Sequence, residues 1–517
     1  MPAPLARARG RDAATAAGVA VPVGAYGPQR RGFDAVVTDP RTADPGPTDP
    51  GTTASRKSGE RVTDRRPTGR EPAPELSRDD LRAAFRPARS EQVGIEVECG
   101  LVDPATGLAA RYTGRCGARA VLEAVLAGWG GERQEDSGHL TGVRLPDGSQ
   151  ITLEHGGQIE YSSAPAPNVG RAVDDMRSAL DRLADLVSRF GLALLPGGNL
   201  PFDRLADVRW VPMTRGAMMR DHFARLGEAG SRAPYVMAFS LSTQVTLDYL
   251  SPADLAEKLR MQTAAAPVVS ALLVNSPIHE GRSEGLLSHR SWSWLRADAY
   301  RTGPLPPALR PDVTVDDMVD WALGIPLIHY RTPDGRYHAA PERPFADLLR
   351  HGFDDGSRPT PAHWAAHLNQ LWTSTRVRTT LELRGADGPP HPFIAAVPAL
   401  WTGLSYHPDS RAAAWELLGR YSLSQHRAAL TELPAQGLAT RLGGDPVRPL
   451  AAELLRLARV GLTARVAAGL EPPHVPGYLD PLDEIVATGR TFAEQDLQRW
   501  HGEFRRDPAR YVAAHRV

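Results

Sequence analysis

Gly94-Ile95-Glu96-Val97-Glu98 carries two interleaved alternations, apolar at 95 and 97 and acidic at 96 and 98. A β-strand sends successive side chains to opposite faces, so Ile95 and Val97 belong to a core while Glu96 and Glu98 share the other side. Side chains at i and i+2 stand roughly 6 to 7 Å apart on a strand, a spacing that suits carboxylates around metal ions or water. Taken alone, the segment reads equally well as a solvated strand face.

Three further segments repeat the pattern. In Ile151-Thr152-Leu153-Glu154-His155-Gly156-Gly157-Gln158-Ile159-Glu160-Tyr161-Ser162 the glycines allow a bend or a close approach to a ligand, and Glu154 and Glu160 add two carboxylates. Thr243-Gln244-Val245-Thr246-Leu247-Asp248-Tyr249 sets Gln244, Thr246 and Asp248 against Val245 and Leu247. Arg378-Thr379-Thr380-Leu381-Glu382-Leu383-Arg384 places Glu382 between two arginines. If the four strands share one sheet, its polar face gathers Glu96, Glu98, Glu154, Glu160 and Glu382 with Gln244 and two arginines. So many oxygen ligands, with few histidines or thiolates, favour Mg2+ or Mn2+ over zinc. Carboxylate-bound magnesium usually brings a nucleotide phosphate with it.

The surrounding pattern mixes helices with short alternating segments and lacks regular strand-helix-strand units, which predicts an α+β fold on an antiparallel sheet. Residues 1–75, rich in Pro, Gly, Arg, Asp and Thr, show no apolar periodicity and read as a disordered N-terminal extension. Order is expected from 76 to 517, beginning at the N-cap candidate Ser77. Helices are predicted over Val169 to Phe190, from Ser251-Pro252 to a break at Pro267, from Thr360-Pro361, and through most of the chain after Pro392.

Composition narrows the function classes. The 517 residues include 60 basic and 60 acidic side chains, so no overall field draws the chain to nucleic acid or an anionic membrane. No apolar run approaches eighteen residues. Cys99 and Cys116 have no metal-ligand spacing, and with no signal peptide the cytoplasm is the expected compartment. All but two of the basic residues are arginines. Lys57 and Lys258 are the exceptions; Gly51 to Ser58 has Arg56 where a P-loop needs its second glycine, so arginines are expected to meet any phosphate.

The chain resembles the glutamate-cysteine ligase family, in the branch of plant-type enzymes and the ligase that opens ergothioneine biosynthesis. The resemblance runs from about residue 90 to about 405. Besides the segments above it rests on Asn275-Ser276-Pro277, Arg290-Ser291, Arg301-Thr302-Gly303 and Leu381-Glu382-Leu383-Arg384-Gly385-Ala386-Asp387. It implies a glutamine-synthetase-like fold whose curved antiparallel sheet forms an active-site funnel flanked by helices. It further implies that ATP phosphorylates the side-chain carboxylate of L-glutamate and that the L-cysteine amine displaces phosphate. By position, Glu96, Glu98, Glu154, Glu160 and Glu382 match the metal-binding face, with Gln244, Thr246 and Arg378 toward the nucleotide. Arg290, Arg301 and Arg384 match arginines near phosphates and substrate carboxylates. Family members usually carry Asn at the position of Thr246, Pro at His155 and a small aliphatic residue at Tyr161.

Weaker features receive plainer readings. His363 and His367 are expected on an ordinary helix surface. Trp292 and Trp294 are expected to pack the stretch between Arg290 and Arg301. Arg204 to Arg232, with Met213, Arg215, Met218 and Met219, reads either as a closing loop or as plain surface. Alternatives to glutamate-cysteine ligation are a γ-glutamyl ligase for another amine, a non-catalytic ligand-binding relative and a carboxylate-metal hydrolase. A monomer or small homo-oligomer is expected.

Overall fold

The computed structural model describes residues 76–283 and 285–517; the expected extension over residues 1–75, with Lys57 and the stretch 51–58, lies outside them. Nine strands form one antiparallel sheet: β1 Val93–Val102, β2 Glu132–Asp136, β3 His139–Arg144, β4 Gln150–Leu153, β5 Ile159–Ser162, β6 Ala193–Pro196, β7 Thr243–Leu247, β8 Thr375–Val377 and β9 Leu381–Leu383. Their order is β8-β9-β7-β1-β5-β4-β3-β2, and β6 continues the edge of β1 beyond β7. The four segments read from the sequence therefore do share one open antiparallel sheet.

Alternation then decides which side chain goes where. Ile95, Val97, Val245, Ile151, Ile159 and Leu383 enter one continuous core with the helices Ala118–Trp129, Val169–Ser188, Ala396–Ser405 and Val447–Ala467. The opposite face of each strand is polar, and registers Glu96↔Gln244, Glu98↔Glu160, Thr152↔Glu160 and Glu382↔Thr246 bring those polar residues into cross-strand pairs.

Two expectations need correction. The helix from Pro252 does not break at Pro267 but runs to Leu272, because Met261 to Leu272 are buried without interruption. Packing on all sides outweighs the roughly 3 kcal/mol cost of an interior proline. The glycine pair after Glu154 makes the expected bend: Gly157 turns the chain at φ 98°, and a Cβ on Gly156 would stand 2.2 Å from the Ala238 carbonyl oxygen. Arg204 to Arg232 is mostly helical, with Thr214–Arg225 as its main element.

The helical C-terminal part grips the sheet through a buried ion network. Lys258 Nζ donates to Glu91 Oε1 at 3.0 Å, Asp254 Oδ2 at 2.8 Å and the Asp248 carbonyl at 3.0 Å, and sits 4.6 Å from the Tyr406 ring. Arg465 reaches Glu91 Oε2 at 3.1 Å. The Tyr406 hydroxyl donates to the Gln92 carbonyl and accepts from Asp248 N at 2.7 Å, tying the start of β1 to the end of β7. Lys258→Met removes the buried ammonium that Glu91 and Asp254 share, leaving them only Arg465 and Arg411, so it is expected to cost about 3 kcal/mol; a denaturant midpoint unchanged from wild type contradicts that role.

Candidate active site

The polar sheet face is one wall of a cavity of about 800 Å3. Glu96 and Glu98 reach it from β1, Glu160 and Ser162 from β5, Gln244 from β7, and Glu154 from the turn after β4. The opposing wall comes from Met213, Arg215, Met219 and Phe223 of the Thr214–Arg225 region, from Trp294 and Trp372, and from His329 and Arg331 of a short hairpin. Met218 is not among the lining residues, whereas Met213, Arg215 and Met219 are.

Like charges crowd the sheet side. Glu98 and Glu160 face each other directly across β1 and β5, a destabilising arrangement unless something neutralises it. Burial, then Glu382 and Glu160, push Glu96 up to about 8. Burial and Glu154 push Glu98 up to about 7, and burial with Glu154 and Glu98 pushes Glu160 up to about 8. One oxygen of Glu98 accepts from Gln244 Nε2 at 3.0 Å, while its Oε2 is buried without a partner. An orphaned carboxylate oxygen among repelling carboxylates is where a divalent cation fits. Among the described residues, no three His, Cys, Asp or Glu side chains converge into a ready-made cage.

Glu382 sits in a different environment from the other glutamates. It is fully buried, and Arg376, Arg378 and Arg384 all donate to its carboxylate, at 2.7 Å for the nearest Arg376 and Arg378 contacts. Burial works against its charge, yet the three guanidiniums hold it well below the usual carboxylate range. A metal ion there would have to displace a guanidinium. Instead Glu382 organises three arginines that all line the cavity, and one carboxylate cannot balance three cations. The surplus positive charge faces the cavity as an anion site. Arg384 Nη1 also donates to Gln244 Oε1 at 2.7 Å, so Gln244 links the arginine cluster to Glu98.

Arg290, Arg301 and Thr246 lie off the cavity wall. Arg290 donates to Ser240 Oγ at 3.1 Å and the Arg384 carbonyl at 2.9 Å, with Asp387 at 3.9 Å behind it. Asp387 itself accepts from Asn275 N, Ser276 Oγ and Ser288 Oγ, which ties Asn275-Ser276-Pro277 to the stretch that carries Arg290. Arg301 pairs with Asp298 at 2.8 Å and donates to the Pro326 carbonyl, so it braces the opposing wall. Thr246 sits on the polar face beside Gly94 and Glu382, outside the lined volume.

Arg376 was missed, because the sequence reading began the last strand at Arg378. In the structure Arg378–Thr380 is a turn and Arg376 on β8 pairs with Glu382 on β9; alternation carried two residues upstream across a hairpin would have found it. His363 and His367 are buried, not surface residues: their Nε2 atoms donate to the Arg331 and Ala322 carbonyls at 3.0 and 2.8 Å. Trp292 and Trp294 lie on a short helix, His289–Trp294. Trp292 packs under Arg232 and Arg296, while Trp294 lines the cavity and donates Nε1–H to Ser240 Oγ. Burial and Arg215 lower His155 to about 3 and His329 to about 4, so both imidazoles are uncharged at neutral pH.

The sequence model described as glutamate-cysteine ligase family 2 matches residues 92–510, so the family pattern extends about a hundred residues beyond 405 into the helical part. The chain is 32% identical to the chloroplastic glutamate–cysteine ligase of Arabidopsis thaliana over 365 residues, 70% of this chain and 68% of that one. It is 31% identical to the Nicotiana tabacum counterpart over 368 residues, again 70% and 68%. Among solved structures, glutamate–cysteine ligase from Francisella tularensis in complex with AMP superposes with a TM-score of 0.50 at 14% identity, covering 83% of this chain and 89% of that one. That likeness concerns the fold.

The raised carboxylates fix a pH dependence. Between pH 6.5 and 8.5 the folded protein retains protons on Glu96, Glu98 and Glu160 that the unfolded chain, ionising near 4.5, has released. Stability without metal is therefore expected to fall as pH rises through the upper part of that window. Below about pH 7.5 the buried neutral histidines oppose the fall, because in the unfolded chain they titrate near 6.5 and still hold protons there. A thermal midpoint followed from about pH 7.5 to 8.5 checks this; Glu160→Gln should flatten the fall, and a flat wild-type profile over that range contradicts it.

Proposed function

The chain belongs to glutamate-cysteine ligase family 2, and from that premise we propose that it joins the side-chain carboxylate of L-glutamate to the amine of L-cysteine at the expense of ATP. The observation that supports this best is the placing of buried carboxylates and a three-arginine cluster side by side on one sheet face. Forming an acyl phosphate requires two anions, a carboxylate and the γ-phosphate, to approach each other. Their repulsion has to be cancelled at the moment of transfer. Mg2+ held by Glu98 together with Glu96 or Glu160, with Glu154 nearby, would supply Lewis-acid charge to the phosphates; Mn2+ fits the same donor set.

The chain's own side chains account for the remaining requirements. Arg376, Arg378 and Arg384 present the positive surplus that a transferring phosphoryl group needs, and Glu382 holds them in register. Gln244 fixes the distance between that cluster and Glu98 through two hydrogen bonds. Arg290 is a positioning residue, holding the Arg384 backbone and Ser240. No protein nucleophile is required: the amine attacks the acyl phosphate and phosphate leaves. The opposing wall of Met213, Met219, Phe223 and Trp294 excludes water from that intermediate. A hydrolase would leave the arginine cluster without a purpose.

We take residues 76–517 as the catalytic domain, the cytoplasm as its compartment, and a low-molecular-weight thiol, ergothioneine first, as the destination of the product. Cys99 and Cys116 are both free thiols, which agrees with a reducing compartment. Among the described residues no helix is long and apolar enough to cross a membrane.

The reading predicts ADP release that requires ATP, Mg2+, L-glutamate and L-cysteine together. Release with another amine alone would move the chain to the wider γ-glutamyl ligases, and ATP binding without turnover would make it a binding protein. Glu96→Gln should lower kcat by about 100-fold or more without lowering the thermal midpoint. Full activity in that variant would overturn the metal assignment.

A further inference from the structure

Three side-chain atoms that the ligase mechanism leaves idle are buried without a hydrogen-bond partner in residues lining the same cavity: Asp136 Oδ2, His155 Nδ1 and His329 Nδ1. Their residues are only 8%, 7% and 9% exposed. Native interiors rarely leave such atoms unpaired. A group of them in one cavity marks a place where a ligand supplies the partners. Arg215 lines the cavity with them, and its charge acts on both imidazoles, while that of Asp136 acts on His329. The four residues therefore occupy one neighbourhood.

The fold builds this corner deliberately. The pairing of β2 with β3 shifts register between Gln134 and Glu135, a bulge that re-aims the end of the strand, and Gln134, Glu135 and Asp136 all reach the cavity. Asp136 Oδ1 accepts from Ser137 Oγ at 3.1 Å, and Ser137 Oγ lies 2.7 Å from Thr214 Oγ1, at the start of the helix that carries Arg215. The carboxylate and the guanidinium are thereby held on two linked elements. A Cβ on Gly216 would come within 2.7 Å of His155 Nδ1, so the glycine makes room for the ring.

One carboxylate and one guanidinium, with two uncharged imidazoles beside them, match the two charges of a zwitterion and offer it further hydrogen bonds. We propose that Asp136, His155, His329 and Arg215 form the head-group subsite for an α-amino-acid substrate, with Asp136 taking its ammonium and Arg215 its carboxylate. The assignment rests on the ligase reading in one respect: both of the proposed substrates, L-glutamate and the amine acceptor, carry this head group. The carboxylate and arginine clusters on the sheet serve the phosphates, and this corner serves the amino acid.

The test uses the full chain with Asp136→Asn and His329→Gln, read by steady-state kinetics and by calorimetric titration of L-glutamate and of L-cysteine. Each variant is expected to raise the KM and Kd of one amino acid at least tenfold while the KM for ATP stays within twofold. A shift for L-glutamate assigns the corner to the donor, and a shift for L-cysteine assigns it to the acceptor. Unchanged amino-acid constants, or an ATP KM that rises as much, overturn the proposal. His329→Gln keeps the test open if Asp136→Asn fails to fold. Wild type that binds an amino acid but releases no ADP ends the ligase reading, yet loss of that binding in the variants would still support the subsite.

Discussion

Mutual repulsion between carboxylates that the sheet buries on one face is the constraint on which the rest depends. Glu98 and Glu160 stand opposite each other in adjacent strands, with Glu96 one pair away and Glu154 at the neighbouring turn. Glu98 is buried and Glu96, Glu154 and Glu160 are half-buried, so water screens them weakly and protons or cations are what neutralise the face. The raised values of Glu96, Glu98 and Glu160 record the proton solution. Beside this face, three arginines converge on one glutamate and leave positive charge unmatched. The two imbalances, held apart by Gln244, suit a metal-bound polyphosphate that carries both kinds of charge.

Such a site works only if its strands cannot relax. Packing of the apolar strand face against four helices fixes the sheet from behind. Lys258, Glu91, Arg465 and Tyr406 lock the start of β1 to the end of β7, the two strands that carry Glu96, Glu98 and Gln244. Asp387 gathers Asn275, Ser276 and Ser288 and stands behind Arg290, which in turn holds the Arg384 backbone. Electrostatic stabilisation is strongest where donors are fixed before charge develops, and these networks supply that preorganisation.

Alternation made the sheet legible. Period-two patterns at 94–98, 151–162, 243–249 and 378–384 identified segments whose strands the structure joins in one sheet, because a strand with one buried face cannot slip register without exposing its core. What the pattern could not give was contact across turns and between distant elements. Glu382 reads in sequence as one more carboxylate; its companion Arg376 lies across a hairpin, and only their pairing shows that three arginines crowd it. Arg301 reads in sequence as a cation for phosphate, and its contacts with Asp298 and the Pro326 carbonyl come from elements that the local pattern does not show. Pro267 looked like a helix end, and a local rule lost to packing on all sides. Asp136 and His329 carried no local motif at all, since a β-bulge and a separate hairpin bring them to the cavity.

The central claim is that the carboxylates on the sheet hold a metal whose phosphates rest on the arginine cluster. Anomalous diffraction from crystals of the full chain grown with Mn2+ and a non-hydrolysable ATP analogue tests it most directly. The account predicts Mn2+ at bonding distance from Glu98 Oε2 and from Glu96 or Glu160, with phosphate oxygens against Arg384 or its neighbours Arg376 and Arg378. Manganese bound away from these glutamates, or phosphates away from all three arginines, would contradict it.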